Sequence, residues 1–179
     1  MIKIGTAALR SVSVVCALAT AGCGGSGNDA EKTPAGEVEK MAMVEARLGA
    51  LAPQFAAFQV SDEQKVFEIL RTHLEENPDI YGAAFAFAPV ELEGDVVKSS
   101  PYVFRGGTGF VEKNLAESYD YVSEQWYSQP VEQGKAVWSD PYFDEGGGDI
   151  WMVTYSVPLY NGDSQLTGVL TSDLPVDPE

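Results

Sequence analysis

Two long stretches with a strand pattern lie near the end of the chain, and a short turn sequence separates them. Residues 150–160 and 166–174 are rich in β-branched and aromatic side chains, which is typical of strands in a folded sheet. Between them, Asn161-Gly162-Asp163 favours a tight turn. The sequence therefore predicts an antiparallel hairpin made of the last two strands.

Two helices are predicted before the strands begin. The apolar stripe of the first consists of Val38, Met41, Val44, Leu48 and Leu51, and that of the second consists of Val66, Phe67, Leu70 and Leu74. Pro53 and Pro78 end the two stripes, and residues 80–89 and 102–104 then show a strand pattern. We therefore expect an α+β fold in which the N-terminal helices cover one face of an antiparallel sheet of about five strands. A variable loop region, residues 106–133, is expected over the other face.

The first 22 residues have the pattern of a bacterial secretion signal. Lys3 and Arg10 precede small and apolar residues that continue to Gly22, directly before Cys23. This run is shorter than the stretch of about 20 apolar residues that a membrane-spanning helix needs. The Ala-Thr-Ala-Gly-Cys ending resembles the lipobox of bacterial lipoproteins, which implies cleavage before Cys23 and a lipid on that cysteine. An ordinary secretory signal that ends near a cysteine is the alternative.

The sequence predicts that residues 23–36 form a flexible tether and that residues 37–179 form one domain. The tether is small, polar and without period, and the domain is long enough to bury a core. We therefore expect an extracytoplasmic, membrane-anchored lipoprotein without a disulfide, since Cys16 leaves with the signal. Residue 24 is glycine, not the aspartate that commonly retains lipoproteins in the inner membrane. The outer membrane is therefore favoured if the host is Gram-negative.

The chain is strongly acidic. It contains 27 Asp and Glu against 11 Lys and Arg, which gives a formal net charge of −16 at pH 7. So much negative charge repels nucleic acid and anionic lipid surfaces and attracts cations. We therefore expect no nucleic-acid partner, and most of these charges are interpreted as a solubilising surface.

Aromatic side chains and carboxylates are concentrated in residues 119–173, which read YDYVSEQWY, then VWSDPYFDEGGGDIWMVTYSVPLY, then LTGVLTSDL. Flat rings supply contact area while carboxylates fix the orientation of a ligand. This composition indicates a cleft for a small molecule. The plain alternative is that rings such as Trp138 and Tyr142 pack in the core and that Asp144 binds backbone donors of the glycine-rich loop.

The same motifs, together with residues 80–89 and 100–105, resemble the Cache family of extracytoplasmic, PAS-like sensor domains. The resemblance covers roughly residues 38–175. It implies a PAS-like fold and a role as a small-molecule sensor that acts through a membrane signalling partner. In the amino-acid and amine-binding branch of this family, a Tyr-x-Asp motif and a later strand-end aspartate hold the ligand ammonium group.

The resemblance assigns a ligand-binding role to seven positions: Tyr119, Glu124, Trp126, Tyr127, Tyr142, Asp144 and Asp173. Glu124 stands where amino-acid receptors of the family carry an arginine for the ligand carboxylate. A glutamate at that place repels a carboxylate, which favours an amine, a polyamine or a quaternary ammonium compound over an ordinary amino acid. Charge-assisted hydrogen bonds and cation–π contacts suit such a ligand.

No catalytic residue, cofactor or metal is predicted. The single histidine, His73, lies near the stripe of the second helix and is expected to be a packed side chain. Asp144, Glu145 and Asp149 do not have the spacing of a twelve-residue calcium loop. Two alternatives stay open: an interaction subunit that docks on a membrane signalling complex, and a hydrolase that uses paired carboxylates.

Overall fold

The computed structural model of the protein describes residues 35–177. The predicted signal peptide, Cys23 and residues 24–34 of the tether lie outside the described residues. The first helix begins at Ala35, so the last two residues of the predicted tether belong to that helix.

Three α-helices occur in the described part of the chain: α1 Ala35–Leu51, α2 Glu63–Glu76 and α3 Gln125–Gln133. Helix α1 buries Val44 and Leu48, which lie one turn apart, and a 3₁₀ turn containing Pro53 follows it. Within residues 35–177, no helix has the combined length and apolar character that crossing a membrane requires.

Nine strands follow one another in the part of the chain that the structure describes: β1 Gly82–Phe87, β2 Val90–Leu92, β3 Asp95–Val97, β4 Pro101–Gly106, β5 Gly109–Asn114, β6 Val137–Trp138, β7 Tyr142–Phe143, β8 Trp151–Tyr160 and β9 Leu166–Pro175. Seven of them form one antiparallel sheet in the order β5-β4-β1-β9-β8-β6, with β7 also paired to β8. Strands β2 and β3 form a separate hairpin. The expected α+β fold is confirmed, with seven strands in the sheet where about five were expected.

The predicted hairpin of the last two strands is present as β8 and β9. Its register places Val153 opposite Leu174 and Thr154 opposite Asp173. In the turn, the Asn161 side-chain oxygen accepts hydrogen bonds from the backbone N–H groups of Asp163 and Gln165. Because side chains alternate along a strand, this register decides which residues of β8 and β9 share a face.

One face of the sheet packs against α1 and α2 and forms the apolar core. The buried side chains there come from α1 and α2 and from alternate positions of the strands. They include Leu48, Leu70, Leu74, Ala83, Phe85, Phe87, Val103, Leu170 and Leu174. Burial of each large apolar side chain contributes about 1.5–3 kcal/mol, so this face contributes a large part of the stability of the domain.

The other face is covered by residues that follow β5, since β5 itself is an edge strand of the sheet. A variable loop region was expected for residues 106–133, and this expectation is wrong in part. The segment contains β5, two 3₁₀ turns and α3. Strand β5 is an exposed edge strand, and α3 has only nine residues, with Pro130 inside it. Neither element therefore shows a long apolar period in the sequence. Gly134 ends α3 in the left-handed conformation, with φ of 62°.

His73 is a buried side chain of α2, as the sequence predicts. Its Nε2 lies 3.0 Å from Ser172 Oγ of β9, and Asn77 contacts its other ring nitrogen. Burial and, secondly, the positive charge of Arg47 together lower the pKa of His73 to about 4. The neutral ring therefore connects α2 to the sheet.

Arg105 of β4 satisfies the end of α2. Its guanidinium donates hydrogen bonds to the carbonyl oxygens of Leu74, Asn77 and Ile80, and it lies over the ring of Phe110. The last carbonyl groups of a helix have no partner within the helix, and a cation suits this negative end. Arg105 therefore fixes α2 on the sheet.

We predict that Arg105→Met lowers the free energy of unfolding by about 2–3 kcal/mol, because several carbonyl groups lose a charged donor. Arg71→Met is the matched control, since Arg71 also lies over Phe110 but forms an exposed ion pair with Glu112. Loss of this exposed ion pair is expected to lower the free energy of unfolding by less than about 1 kcal/mol. Urea unfolding of both variants measures the difference, and equal losses would contradict the role assigned to Arg105.

Candidate ligand-binding site

A cavity lies on the face of the sheet that is turned away from α1 and α2. Its floor comes from Ala84 of β1, Thr154 of β8, and Thr171 and Asp173 of β9. The remaining lining residues are Tyr102, Leu115, Tyr119, Trp126, Tyr142 and Asp144. The empty volume, including the mouth, is about 230 Å³. The enclosed part that can hold the centre of a water molecule measures only about 10 Å³, which is room for about one water, so a larger ligand requires movement of the lining side chains.

Asp173 is the central charged group of the cavity. It is 3% exposed, and its neighbours across the sheet are Gly82 on β1 and Thr154 on β8. The pKa of its carboxyl group is raised to about 8, mainly because burial disfavours the charge and secondly because Asp144 repels it. The carboxyl group is therefore protonated in a large fraction of the empty protein near neutral pH.

Gly82 gives the Asp173 carboxylate and the Tyr102 ring the space that they occupy. A Cβ atom at this position would lie 2.7 Å from Asp173 Oδ2 and equally close to a ring carbon of Tyr102. No side chain tolerates such contacts without movement of the neighbours. The glycine is required here because two side chains from flanking strands converge above it.

Asp144 lies in the glycine-rich loop between β7 and β8 and is 8% exposed. Its Oδ2 accepts a hydrogen bond of 2.7 Å from the backbone N–H of Gly148, whose carbonyl oxygen in turn accepts from Tyr81 Oη at 2.9 Å. Burial raises the pKa of Asp144, whereas the Gly148 hydrogen bond lowers it. Asp144 therefore binds a backbone donor of the glycine-rich loop, which was the alternative predicted from the sequence. The same residue also lines the cavity.

Three side chains form a hydrogen-bonded row along the cavity wall. Tyr142 Oη lies 2.8 Å from Thr154 Oγ1, and Thr154 Oγ1 donates to Asp173 Oδ1 at 2.9 Å. Burial raises the pKa of Tyr142 above its ordinary value, so its hydroxyl group stays protonated. The row connects the Tyr-x-Asp motif to the end of β9.

The Tyr102 hydroxyl group is buried beside Asp173. The Tyr102 hydroxyl group lowers the pKa of the Asp173 carboxyl group, but the two groups form no hydrogen bond of ordinary geometry. Among residues 35–177 the hydroxyl has no other partner. A buried polar group without a partner is costly, and a bound ligand is one way to satisfy it.

Aromatic rings close the cavity from above. Trp126 of α3 is 7% exposed and stacks on Tyr121 with ring centroids 6.3 Å apart. Tyr121 in turn donates a hydrogen bond of 2.7 Å to the carbonyl oxygen of Phe87 at the end of β1. The position of Trp126 over the sheet is therefore fixed by a buried neighbour that is itself bonded to the sheet.

The residues that line the cavity include two carboxyl groups and no Lys, Arg or His side chain. The nearest positive influence is Lys113, which lowers the pKa of Asp144 but donates its hydrogen bond to the Gly146 carbonyl oxygen. The cavity is therefore negative once these carboxyl groups are ionised. Such a site attracts a cation and repels an anion.

Five of the seven predicted positions meet around this cavity: Tyr119, Trp126, Tyr142, Asp144 and Asp173. Glu124 and Tyr127 do not line it. Glu124 precedes the first turn of α3 and is exposed. Tyr127 is adjacent to Trp126 on the helix and points about 100° away from it, where its ring packs edge-on against Tyr121. A ligand-binding role for any of the seven stays a prediction.

Sequence reasoning missed Thr154, Thr171 and Tyr102. Thr154 and Thr171 lie on strands, where threonine is common, so their types carried no signal. The only available signal was alternation, because Thr171 and Asp173 are two residues apart and share a face. The position of Thr154 depends on the register of the hairpin, which the sequence did not give.

A family model described as the methyl-accepting chemotaxis protein-like, first PDC sensor domain matches residues 66–178 of this chain. Methyl-accepting chemotaxis protein TlpB of Bacillus subtilis strain 168 is 39% identical over 69 residues, which are 38% of this chain and 10% of TlpB. The aligned segment is therefore a small part of that relative.

Two solved structures are similar to the whole domain. The extracellular domain of a proposed histidine kinase, soHK1S-Z6, has a TM-score of 0.68 and 32% identity over 78% of this chain and 54% of its own. The ligand-binding domain of the Campylobacter jejuni chemoreceptor Tlp3, in complex with L-valine, has a TM-score of 0.54 and 16% identity over 77% of this chain and 52% of its own. The chain thus spans about half the length of these two domains, and the second likeness shows the fold alone.

We predict that Asp173→Asn makes the protein more stable at pH 8 than the unchanged protein. The folded-state pKa of about 8 lies above the ordinary value of 3.8, so the unfolded chain loses this proton first and stability falls as pH rises from about 4 to about 8. Asparagine has no proton to lose. The advantage of the variant is expected to grow between pH 5 and pH 8 by at least about 1.4 kcal/mol, which corresponds to one pKa unit.

Urea unfolding at pH 5 and pH 8 measures this advantage. The titration of His73 occurs in both proteins and cancels in their difference. Asp163→Asn is the control, because Asp163 lies exposed in the β8–β9 turn. An advantage of Asp173→Asn that stays constant between the two pH values would show that the carboxyl group is not protonated in the fold.

Proposed function

The chain belongs to the methyl-accepting chemotaxis protein-like family of first PDC sensor domains, and we propose that it senses a small cationic amine. The observation that carries this proposal is the pair of buried carboxyl groups, Asp144 and Asp173, in a cavity whose lining includes no basic side chain. An ionised carboxylate buried without a counter-charge is unfavourable. A bound ammonium group supplies that charge.

The aromatic lining supports the same class of ligand. Trp126, Tyr119 and Tyr142 present rings to the cavity, and a cation near such rings gains about 0.5–2 kcal/mol. The Tlp3 domain, which is similar in fold, was solved with L-valine, a molecule that carries an ammonium group. A valine also carries a carboxylate, for which the lining residues of this cavity offer no positive partner. An amine without a carboxylate therefore fits this site better than an amino acid.

Binding of an amine is expected to release a proton near neutral pH. Asp173 is protonated in a large fraction of the empty protein because its pKa is raised to about 8. A cation stabilises the ionised carboxylate, so affinity increases as pH rises towards 8. The affinity then levels off until the ligand itself loses its proton.

We further propose that the domain is held at a membrane and acts through a partner protein. A lipid on Cys23 would hold the domain at the membrane surface, and the residues before α1 would form the tether. The similar proteins are sensor domains of chemoreceptors and of a proposed histidine kinase. We infer that ligand occupancy is reported to a membrane signalling protein of this kind.

Amine binding is tested with a thermal-shift screen of small amines, amino acids and carboxylates at pH 7.5, followed by calorimetric titration. An amine at about 100 times its dissociation constant is expected to stabilise the protein by about 2.7 kcal/mol. Asp173→Asn should abolish the shift, whereas Asp163→Asn should leave it unchanged. The absence of any shift across the amines would refute the proposal and favour a protein-docking role. A preference for carboxylates would refute the charge argument.

Lipid anchoring is tested by expression of the full chain and of its Cys23→Ser variant in a Gram-negative host. The unchanged protein is expected in the membrane fraction, with a mature N-terminus at Cys23 that carries acyl chains in mass spectrometry. The variant should appear in the soluble extracytoplasmic fraction. An unmodified N-terminus at another residue would show that the signal is an ordinary secretory one.

A further inference from the structure

We propose that Thr154 makes the cavity selective for a primary ammonium group over an N-methylated one. The inference rests on the amine binding proposed above and concerns the directions of the hydrogen bonds at that site. Thr154 was not among the residues predicted from the sequence.

Thr154 is held rigidly between the two groups that it contacts. It lies on β8 directly opposite Asp173 and is 1% exposed. Ser139 fixes its backbone from the other side: the Thr154 N–H donates to Ser139 Oγ at 2.9 Å, and the Ser139 N–H donates to the Thr154 carbonyl oxygen at 2.9 Å. The Thr154 hydroxyl group therefore keeps its place between Tyr142 and Asp173.

The single proton of this hydroxyl group determines the direction of the whole row. An ionised Asp173 carboxylate can only accept hydrogen bonds, so the Thr154 hydroxyl group donates its hydrogen bond to Asp173 Oδ1. Thr154 Oγ1 then accepts the proton of Tyr142. As a result, the Tyr142 oxygen and Asp173 Oδ2, which belong to residues that line the cavity, remain available as hydrogen-bond acceptors.

A primary ammonium group matches these acceptors. It carries three N–H donors and no acceptor, so it can bond to Asp173 Oδ2 and Tyr142 Oη together. Each N-methyl group removes one donor, and a quaternary ammonium has none. A quaternary ammonium cannot donate to either acceptor, so a buried, ionised Asp173 would keep at most the hydroxyl donors of Thr154 and Tyr102, which is costly. The aromatic rings attract both kinds of cation, so they do not provide the selectivity.

A steric explanation predicts a different result for one substitution. Methyl groups also enlarge the ligand, and a narrow cavity would reject them for that reason alone. Thr154→Val keeps the shape of the side chain but removes the hydroxyl group. Selectivity due to size would survive this change, whereas selectivity due to the hydrogen-bonded row would not.

The test uses calorimetric titration with n-propylamine and with N,N,N-trimethylpropylammonium at pH 7.5. The unchanged protein is expected to bind the primary amine at least ten times more tightly. Thr154→Val should lose about tenfold in affinity for propylamine and keep its affinity for the trimethyl compound, so the ratio collapses. Thr154→Ser retains the hydroxyl group and should restore the ratio.

The outcomes separate this inference from the proposed function. Equal affinity of the unchanged protein for both compounds would overturn the inference and leave amine binding intact. A ratio that persists in Thr154→Val would overturn it in favour of size selection. Failure of both compounds to bind would refute amine binding itself. The N-methyl and N,N-dimethyl derivatives, titrated against the unchanged protein, should show a stepwise loss that needs no variant.

Discussion

The burial of the Asp173 carboxyl group in the middle of the sheet constrains everything around it. A charge at this place is opposed by desolvation and by Asp144, so the empty protein holds a proton there, with a pKa raised to about 8. The neighbouring strands are adapted to this group: Gly82 leaves room for it, and Thr154 donates to it. A polar floor made of small and hydroxyl-bearing side chains follows from this one requirement.

The opposite face of the sheet makes such a floor possible. Alternate residues of β1 and β9, such as Phe85 and Leu170, pack against α1 and α2 and are fully buried. Arg105 and His73 add polar connections between α2 and the sheet. The larger apolar cluster thus lies on one face, while the other face has a smaller aromatic cluster together with buried ionisable and unpaired polar groups that reduce stability but can bind a ligand.

The sequence was informative where composition or period was strong. Two apolar stripes predicted α1 and α2, and Asn161-Gly162-Asp163 predicted the hairpin of β8 and β9. The resemblance to Cache domains brought together Trp126, Tyr142 and Asp173, which do line one cavity. The resemblance could not supply the features that depend on contacts between residues distant in the sequence. The short helix α3 lacks a long period, and the directions of Trp126 and Tyr127 on it are set by packing against Tyr121.

Strand β9 has a further consequence because adjacent residues of a strand point to opposite sides. Ser172 meets His73 of α2, and Asp173, the next residue, lies in the cavity. One planar peptide unit joins them, and such a unit rotates only as a whole. Strand β9 therefore makes the candidate site and the apolar core continuous, with no loop between them.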